Sequence, residues 1–175
     1  PGGASEGVLL DFHSPYGCSK GAADQYVLDY YRIYGICATS FRQSCIYGPH
    51  QFGVEDQGWV AWFTIAATLG RPITIYGDGK QVRDVLFVED LIAAYELAFE
   101  QREQVAGKAL NIGGGPANTL SLLELIEILE NELGRKIPLV FDDWRPGDQK
   151  VFVCDISHAG RRLGCRRRRD DLTGR

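Results

Sequence analysis

The strongest constraint on this chain is a regular alternation of helix-length and strand-length segments, each closed by glycine or proline. Ser14 and Pro15 form a helix start, and the pattern runs on to Tyr34 before Gly35 stops it. Residues 36–42 then read as a short buried strand. A glycine- and proline-rich loop spans 47–58, and a helix is expected over Gly58–Leu69, ended by Gly70 and Pro72. Strands are expected at 73–76 and 82–87 around a Gly77-Asp78-Gly79 turn, a helix over 88–101 and a strand over 108–112. An amphipathic helix follows over Leu120–Leu133, then strands at 137–141 and 151–154 and a short helix over Ser157–Leu163. Strands separated by helices pair in parallel, so the fold class is α/β with a parallel sheet.

Composition narrows the function classes. Hydrophobic residues make up 45% and charged residues 24%, enough for a packed core. The longest apolar run, Trp59–Leu69, is too short to cross a membrane as a helix. Net charge is −4, and five basic residues sit in the last ten positions, so the body is more acidic still and nucleic acid is excluded as the main partner. The five cysteines form no Cys-x-x-Cys pair and the three histidines are scattered, so no metal site is expected. Reduced thiols in the cytoplasm are the expectation. The chain holds no methionine and begins at Pro1, so it is expected to be an internal piece of a longer protein.

Tyr16 and Lys20 stand four apart on the first helix and share a face. An ammonium beside a phenol favours the phenolate, and such a tyrosine can exchange a proton with a sugar hydroxyl. Taken alone, the pair is a common feature of helix surfaces. Its surroundings change that. Ser14-Pro15-Tyr16-Gly17-Cys18-Ser19-Lys20 resembles the active-site helix of the extended short-chain dehydrogenases, the NAD-dependent epimerases and dehydratases of nucleotide sugars. Arg42-Gln43-Ser44-Cys45-Ile46-Tyr47-Gly48-Pro49 resembles that family's R-x-x-N-x-Y-G-P segment, with Cys45 where the substrate-touching Asn usually stands. Ile73–Asp90 resembles its strand-turn-strand stretch, and Arg145-Pro146-Gly147-Asp148 its R-x-G-D motif. Asn111-Ile112-Gly113-Gly114-Gly115 resembles its N-x-G segment and is not a dinucleotide fingerprint.

The resemblance spans about Asp11 to Gly164 and carries several implications. Tyr16 and Lys20 are the catalytic pair and also touch NAD, beside Gln43 and Ile46. Arg83 and Arg145 hold the substrate diphosphate, while Cys45, Gln57 and Tyr76 line the substrate pocket. Asp84 and Asp90 are structural. Residues 1–48 and 83–112 belong to a Rossmann-like NAD-binding domain, here only in part. Residues 49–82 and 113–165 form a substrate-binding domain, and 166–175 an atypical basic tail. Gln51-Phe52-Gly53 and Asp56-Gln57-Gly58-Trp59 point to an epimerase branch that acts on CDP-linked deoxyhexoses. Trp62 and Phe63 are expected on the core face of their helix. The alternatives are a 4,6-dehydratase, a 4-epimerase, or a non-catalytic or truncated member. A homodimer through the Tyr16–Tyr34 helix is implied. The family's glycine-rich phosphate turn and assisting Ser or Thr are not in this sequence, so this chain alone is not expected to turn over.

Overall fold

The structure, a computed structural model, describes residues 2–164. Cys165 and the basic tail with its Arg166–Arg169 run lie outside those residues. Helix α1 (Pro15–Tyr34) starts where Ser14 accepts the Gly17 N–H at 3.0 Å and stops at Gly35, whose left-handed backbone closes it. Strands β1 (Ser40–Gln43) and β2 (Cys45–Tyr47) follow, then α2 (Trp59–Thr68), β3 (Ile73–Tyr76), β4 (Val82–Phe87), α3 (Val88–Glu100) and a short α4 (Arg102–Val105). The chain continues through β5 (Ala109–Ile112), β6 (Thr119–Ser121), α5 (Leu122–Leu133), β7 (Leu139–Asp142), β8 (Val151–Phe152) and α6 (Ser157–Leu163). No helix among the described residues is long and apolar enough to cross a membrane.

Pairing is largely parallel, as the alternation implies. β1 lies parallel to β5, β2 to β4, β3 to β7 and β8 to β4. The exception is β6, which runs antiparallel to β4. Among the described residues β1 has a ladder partner on one side only.

β7 and β8 cover 139–142 and 151–152 where strands were expected at 137–141 and 151–154, α4 was not expected, and three further differences bear on the site. The strand expected at 36–42 is limited to 40–43, because only there does β5 supply a ladder. Cys45 and Ile46, between the expected strand and loop, and Tyr47, at the loop's expected start, pair with Val85–Phe87 as β2. The helix expected from Leu120 starts at Leu122, since Thr119–Ser121 pair with β4 first. Ser121 then caps α5 reciprocally with Glu124, a Ser-x-x-Glu signal that was present in the sequence.

Two hydrophobic clusters sit on either side of β4. One packs α2 and α5 over β3 through Phe63, Ala66, Ile73, Ile75, Leu125 and Ile126. The other packs α3 and α6 on β5 through Leu91, Ala94, Ala98, Leu110, Ala159 and Leu163. Consecutive residues of β4 serve both, Val85 the first and Leu86 the second, because side chains alternate across a strand.

Asp84 joins the two halves. It is 0% exposed. Its Oδ1 accepts the Ser44 hydroxyl (2.5 Å) and the Cys154 N–H (3.3 Å), and its Oδ2 accepts the Gly115 N–H (3.0 Å) and the Cys154 thiol (2.9 Å). Ser44 is the single residue between β1 and β2, where the chain leaves β5 and joins β4. The glycines of 113–115 let their loop press onto this carboxylate. A Cβ at Gly113 would lie 2.4 Å from Asp84 Oδ2, and one at Gly114 would lie 2.1 Å from the Val85 carbonyl oxygen. Asp84 thus has the structural place the sequence implied for it.

Asp84→Ala would strand the donors of Ser44, Gly115 and Cys154 in the interior. The expected loss is about 3 kcal/mol or more. In a domain of this size that lowers the melting temperature by roughly 10 °C, which thermal unfolding followed by circular dichroism would measure.

Candidate active site

The helix that carries Tyr16 is held in place by a carboxylate two turns further on. Tyr16, Lys20 and Asp24 follow one another at four-residue spacing on α1. Asp24 Oδ1 accepts the Ser40 hydroxyl (2.5 Å) and Arg42 Nε (3.1 Å), and its Oδ2 accepts Arg42 Nη2 at 2.7 Å. Both partners lie on β1, so this face of α1 is clamped to the strand. Burial pushes the Asp24 carboxyl up, but the bonds from Arg42, Ser40 and Gln25 outweigh it and hold it below its ordinary value. Lys20 Nζ lies 5.4 Å from the centre of the Tyr16 ring.

A broad cleft of about 990 Å³ opens along this face. Tyr16 and Lys20 border it on one side, and Gln43, Cys45 and Ile46 on the strand side. Gln51, Gln57, Trp59 and Arg83 complete the wall towards α2. Gln43 donates to the Tyr95 hydroxyl. Cys45 accepts the indole N–H of Trp59 at 3.4 Å. Burial pushes the Cys45 thiol up, against the smaller pull of that bond and of the Arg83 charge.

A second cavity, of about 220 Å³, adjoins the first and shares Gln57, Gly58, Trp59 and Arg83 with it. Its wall includes Trp62, Phe63, Tyr76, Gln81, Arg145 and Asp148. Arg83 donates through Nη2 to Asp148 (3.2 Å) and to the Gln149 carbonyl, and through Nη1 to the Val82 carbonyl. The Arg145 guanidinium lies 3.8 Å over the Tyr76 ring and pairs with Asp56 at 3.2 Å. The Tyr76 hydroxyl donates to Glu55 at 2.9 Å. Phe63 is buried in the α2–α5 core, and the half-buried Trp62 packs against it.

Every residue expected to touch cofactor or substrate therefore borders one of two adjoining cavities. Tyr16, Lys20, Gln43, Cys45 and Ile46 line the larger, Tyr76 and Arg145 the smaller, and Gln57 and Arg83 both. Sequence reasoning missed the clamp made by Asp24 and the pairing of Glu55, Asp56 and Asp148 with Tyr76, Arg145 and Arg83, whereas Gln51 stood in a loop already quoted for the resemblance. For Asp24 the signal was its position eight residues after Tyr16. For the carboxylates the only signal was proximity to arginines brought near by folding.

Comparison with known proteins follows the same line. Residues 4–113 match the model of the NAD dependent epimerase/dehydratase family. The chain is 50% identical over 161 residues to CDP-paratose 2-epimerase of Salmonella typhi, covering 89% of this chain and 48% of that protein. It is 35% identical over 162 residues to dTDP-glucose 4,6-dehydratase of Neisseria gonorrhoeae, covering 86% and 45%. Among solved structures it resembles UDP-glucuronic acid 4-epimerase of Bacillus cereus in complex with UDP-glucuronic acid and NAD. There the TM-score is 0.86 at 30% identity, over 95% of this chain and 51% of that one. It also resembles DesIV, a dTDP-glucose 4,6-dehydratase of Streptomyces venezuelae with NAD and TYD bound. That TM-score is 0.87 at 28% identity, over 99% and 52%. The chain spans about half the length of the curated relatives it matches.

Two outcomes test this description of the site. Folding lowers the Asp24 carboxyl, so its contribution is complete above the ordinary value of 3.8 and is lost as pH falls through the lower folded value. Asp24→Asn is expected to reduce stability at neutral pH, and its difference from the wild type is expected to shrink as pH falls below 3.8, as denaturant titrations across that range would show. At pH 7.5 or thereabouts, iodoacetamide is expected to modify the exposed Cys18 and Cys37 well before Cys45, read by peptide mass mapping.

Proposed function

The chain belongs to the NAD dependent epimerase/dehydratase family, and on that premise we propose that it forms the substrate side of a nucleotide-sugar epimerase of the CDP-paratose 2-epimerase type. The observation that carries this reading is the pair of adjoining cavities, with Tyr16 and Lys20 in the wall of one, Tyr76 and Arg145 in the wall of the other, and Arg83 in both. That layout suits a nucleoside in the smaller cavity, a diphosphate beside the arginines and a hexose in the larger one. Guanidinium groups suit a diphosphate because their forked donors match its oxygens. The preference for a CDP-linked deoxyhexose rests on the 50% identity to the Salmonella enzyme.

The residues present fit one end of NAD. The Lys20 ammonium can donate to a ribose, and the 43–46 strand end forms a wall beside Tyr16 for the nicotinamide. When bound, the nicotinamide supplies a hydride acceptor and then a hydride donor. Tyr16 takes the proton of the sugar hydroxyl as the carbon is oxidised to a ketone, and returns it on reduction. The charge on Lys20 favours the phenolate while the proton is away. Arg83 and Arg145 hold the diphosphate while the keto sugar turns to present its other face.

Residues 1–48 and 83–112 form the cofactor side in this reading, and 49–82 and 113–165 the substrate side. The α2–α5 cluster gathers most of the substrate side, whereas α6, assigned to that side, packs with α3 on β5. We also propose a homodimer through α1, whose Tyr26 and Tyr34 are 67% and 68% exposed. Its compartment is the cytoplasm, where nucleotide sugars and NAD are found.

In the whole protein with NAD and CDP-paratose, product analysis by NMR is expected to show inversion at one sugar carbon with no loss of water. If the protein is offered a nucleotide-linked glucose, which still carries its 6-hydroxyl, a 4-keto-6-deoxy product formed with loss of water would replace this reading with a 4,6-dehydratase. Tyr16→Phe is expected to lower kcat by about 10²–10⁴-fold with substrate binding retained. Arg145→Gln is expected to weaken nucleotide-sugar binding by roughly 10-fold or more, read by calorimetry.

A further inference from the structure

We propose that Trp144 is a positioning residue of the substrate site, the anchor that holds the Arg145 guanidinium in the wall of the smaller cavity. The inference rests on the nucleotide-sugar reading above, in which Arg145 meets the diphosphate. It adds a residue that lies outside the R-x-G-D segment and lines neither cavity.

Arg145 needs such an anchor. It stands in a stretch, residues 143–150, that contains no helix and no strand. The two ends of that stretch are tied down. The Gly77 N–H donates to the Asp142 carbonyl and the Val82 N–H to the Lys150 carbonyl, both at 2.9 Å. Between those ends the Arg145 side chain is only partly buried, and its ion-pair partner Asp56 has a side chain 86% exposed. An ion pair so open to water is a weak hold. The other contact of the guanidinium is the Tyr76 ring, which it covers at 3.8 Å.

Trp144 is seated on Gly77. A Cβ at Gly77 would lie 2.5 Å from Cε2, 2.6 Å from Cδ2 and 2.8 Å from Cζ2 of the indole. Cδ2 and Cε2 form the bond that the two rings share, so the face of the indole covers the glycine, and any other residue at 77 would push it off. Lys150 places its ammonium 5.4 Å from the centre of the Trp144 ring. The indole therefore links both tied ends of the stretch. The two stacks are consecutive, Arg145 on Tyr76 and Trp144 on Gly77, so the chain doubles back over the end of β3 one residue at a time. With the indole fixed on Gly77, the next side chain falls on Tyr76. An arginine already held there loses less freedom when a diphosphate binds, so the hold on the indole is read as affinity for the diphosphate.

The test uses the whole protein with NAD and measures binding of CDP and of a CDP-linked deoxyhexose by calorimetry. Trp144→Ala is expected to weaken both about 10-fold, because both carry the diphosphate. Trp144→Phe keeps an aromatic face for Gly77 and is expected to bind nearly as the wild type does. In an Arg145→Gln background, Trp144→Ala is expected to cost nothing further, since it acts only through the guanidinium. An equal loss in both backgrounds would make Trp144 a general brace of the domain and overturn the proposal. Wild-type binding by Trp144→Ala overturns it too, as does a loss in Trp144→Phe as large as in Trp144→Ala. Should Trp144→Ala not fold, Trp144→Leu goes through the same cycle, and failure of both to fold also shows a general brace. A wild type that binds neither CDP nor the nucleotide sugar sinks the nucleotide-sugar reading, and wild-type binding by Arg145→Gln sinks the role of Arg145; either takes Trp144 with it. Weak binding by Arg145→Gln with no effect of Trp144→Ala sinks the assignment of Trp144 alone.

Discussion

The buried carboxylate of Asp84 is the constraint on which the rest of the molecule turns. It lies where β1 hands the chain to β2, where the glycine loop leaves β5 and where Cys154 passes by. Donors from three separate segments converge on its two oxygens, so the four bonds fix the relative positions of elements up to 70 residues apart in sequence. A buried polar group is costly unless it is hydrogen-bonded, so moving any of these segments away would leave both Asp84 and its donors unpaired. The Cys154 thiol, pushed up by burial and then by the neighbouring carboxylate, remains a proton donor to it.

That junction also sets the site. Arg83 precedes Asp84 on β4, and side chains of adjacent strand residues point to opposite faces. Fixing Asp84 inward therefore directs Arg83 into the wall shared by the two cavities. Tyr16 reaches the same cleft by a different route, through the Asp24 clamp on Ser40 and Arg42. Two carboxylates, neither of them catalytic, thus position the arginine and the phenol. Arg83 and Arg145 each already face a carboxylate, Asp148 and Asp56. A diphosphate entering the smaller cavity has to share or displace these partners, and the exposed Asp56 on its turn yields more readily than Asp148.

Much of this was written into the linear sequence. Periodicity and caps fixed helices such as Pro15–Tyr34, because those signals act within a few residues. The four-residue spacing put Tyr16 and Lys20 on one face before any fold was known. Ordered motifs were enough to suggest the family, and the family match and the structural likeness agree with them. What local patterns left out were β2 and β6, three residues each, too short to carry a periodicity and dependent on β4 for their ladders.

The sequence by itself determined the helices, the alternating α/β order and the residue types that chemistry requires, since these depend on near neighbours along the chain. Tertiary structure alone decided that Cys45 serves the Trp59 indole, that Arg83 meets Asp148, and that Arg145 stacks on Tyr76. Those contacts join groups from different loops and strands, and the energy that selects them arises only when burial removes water and leaves each polar group to find its partner.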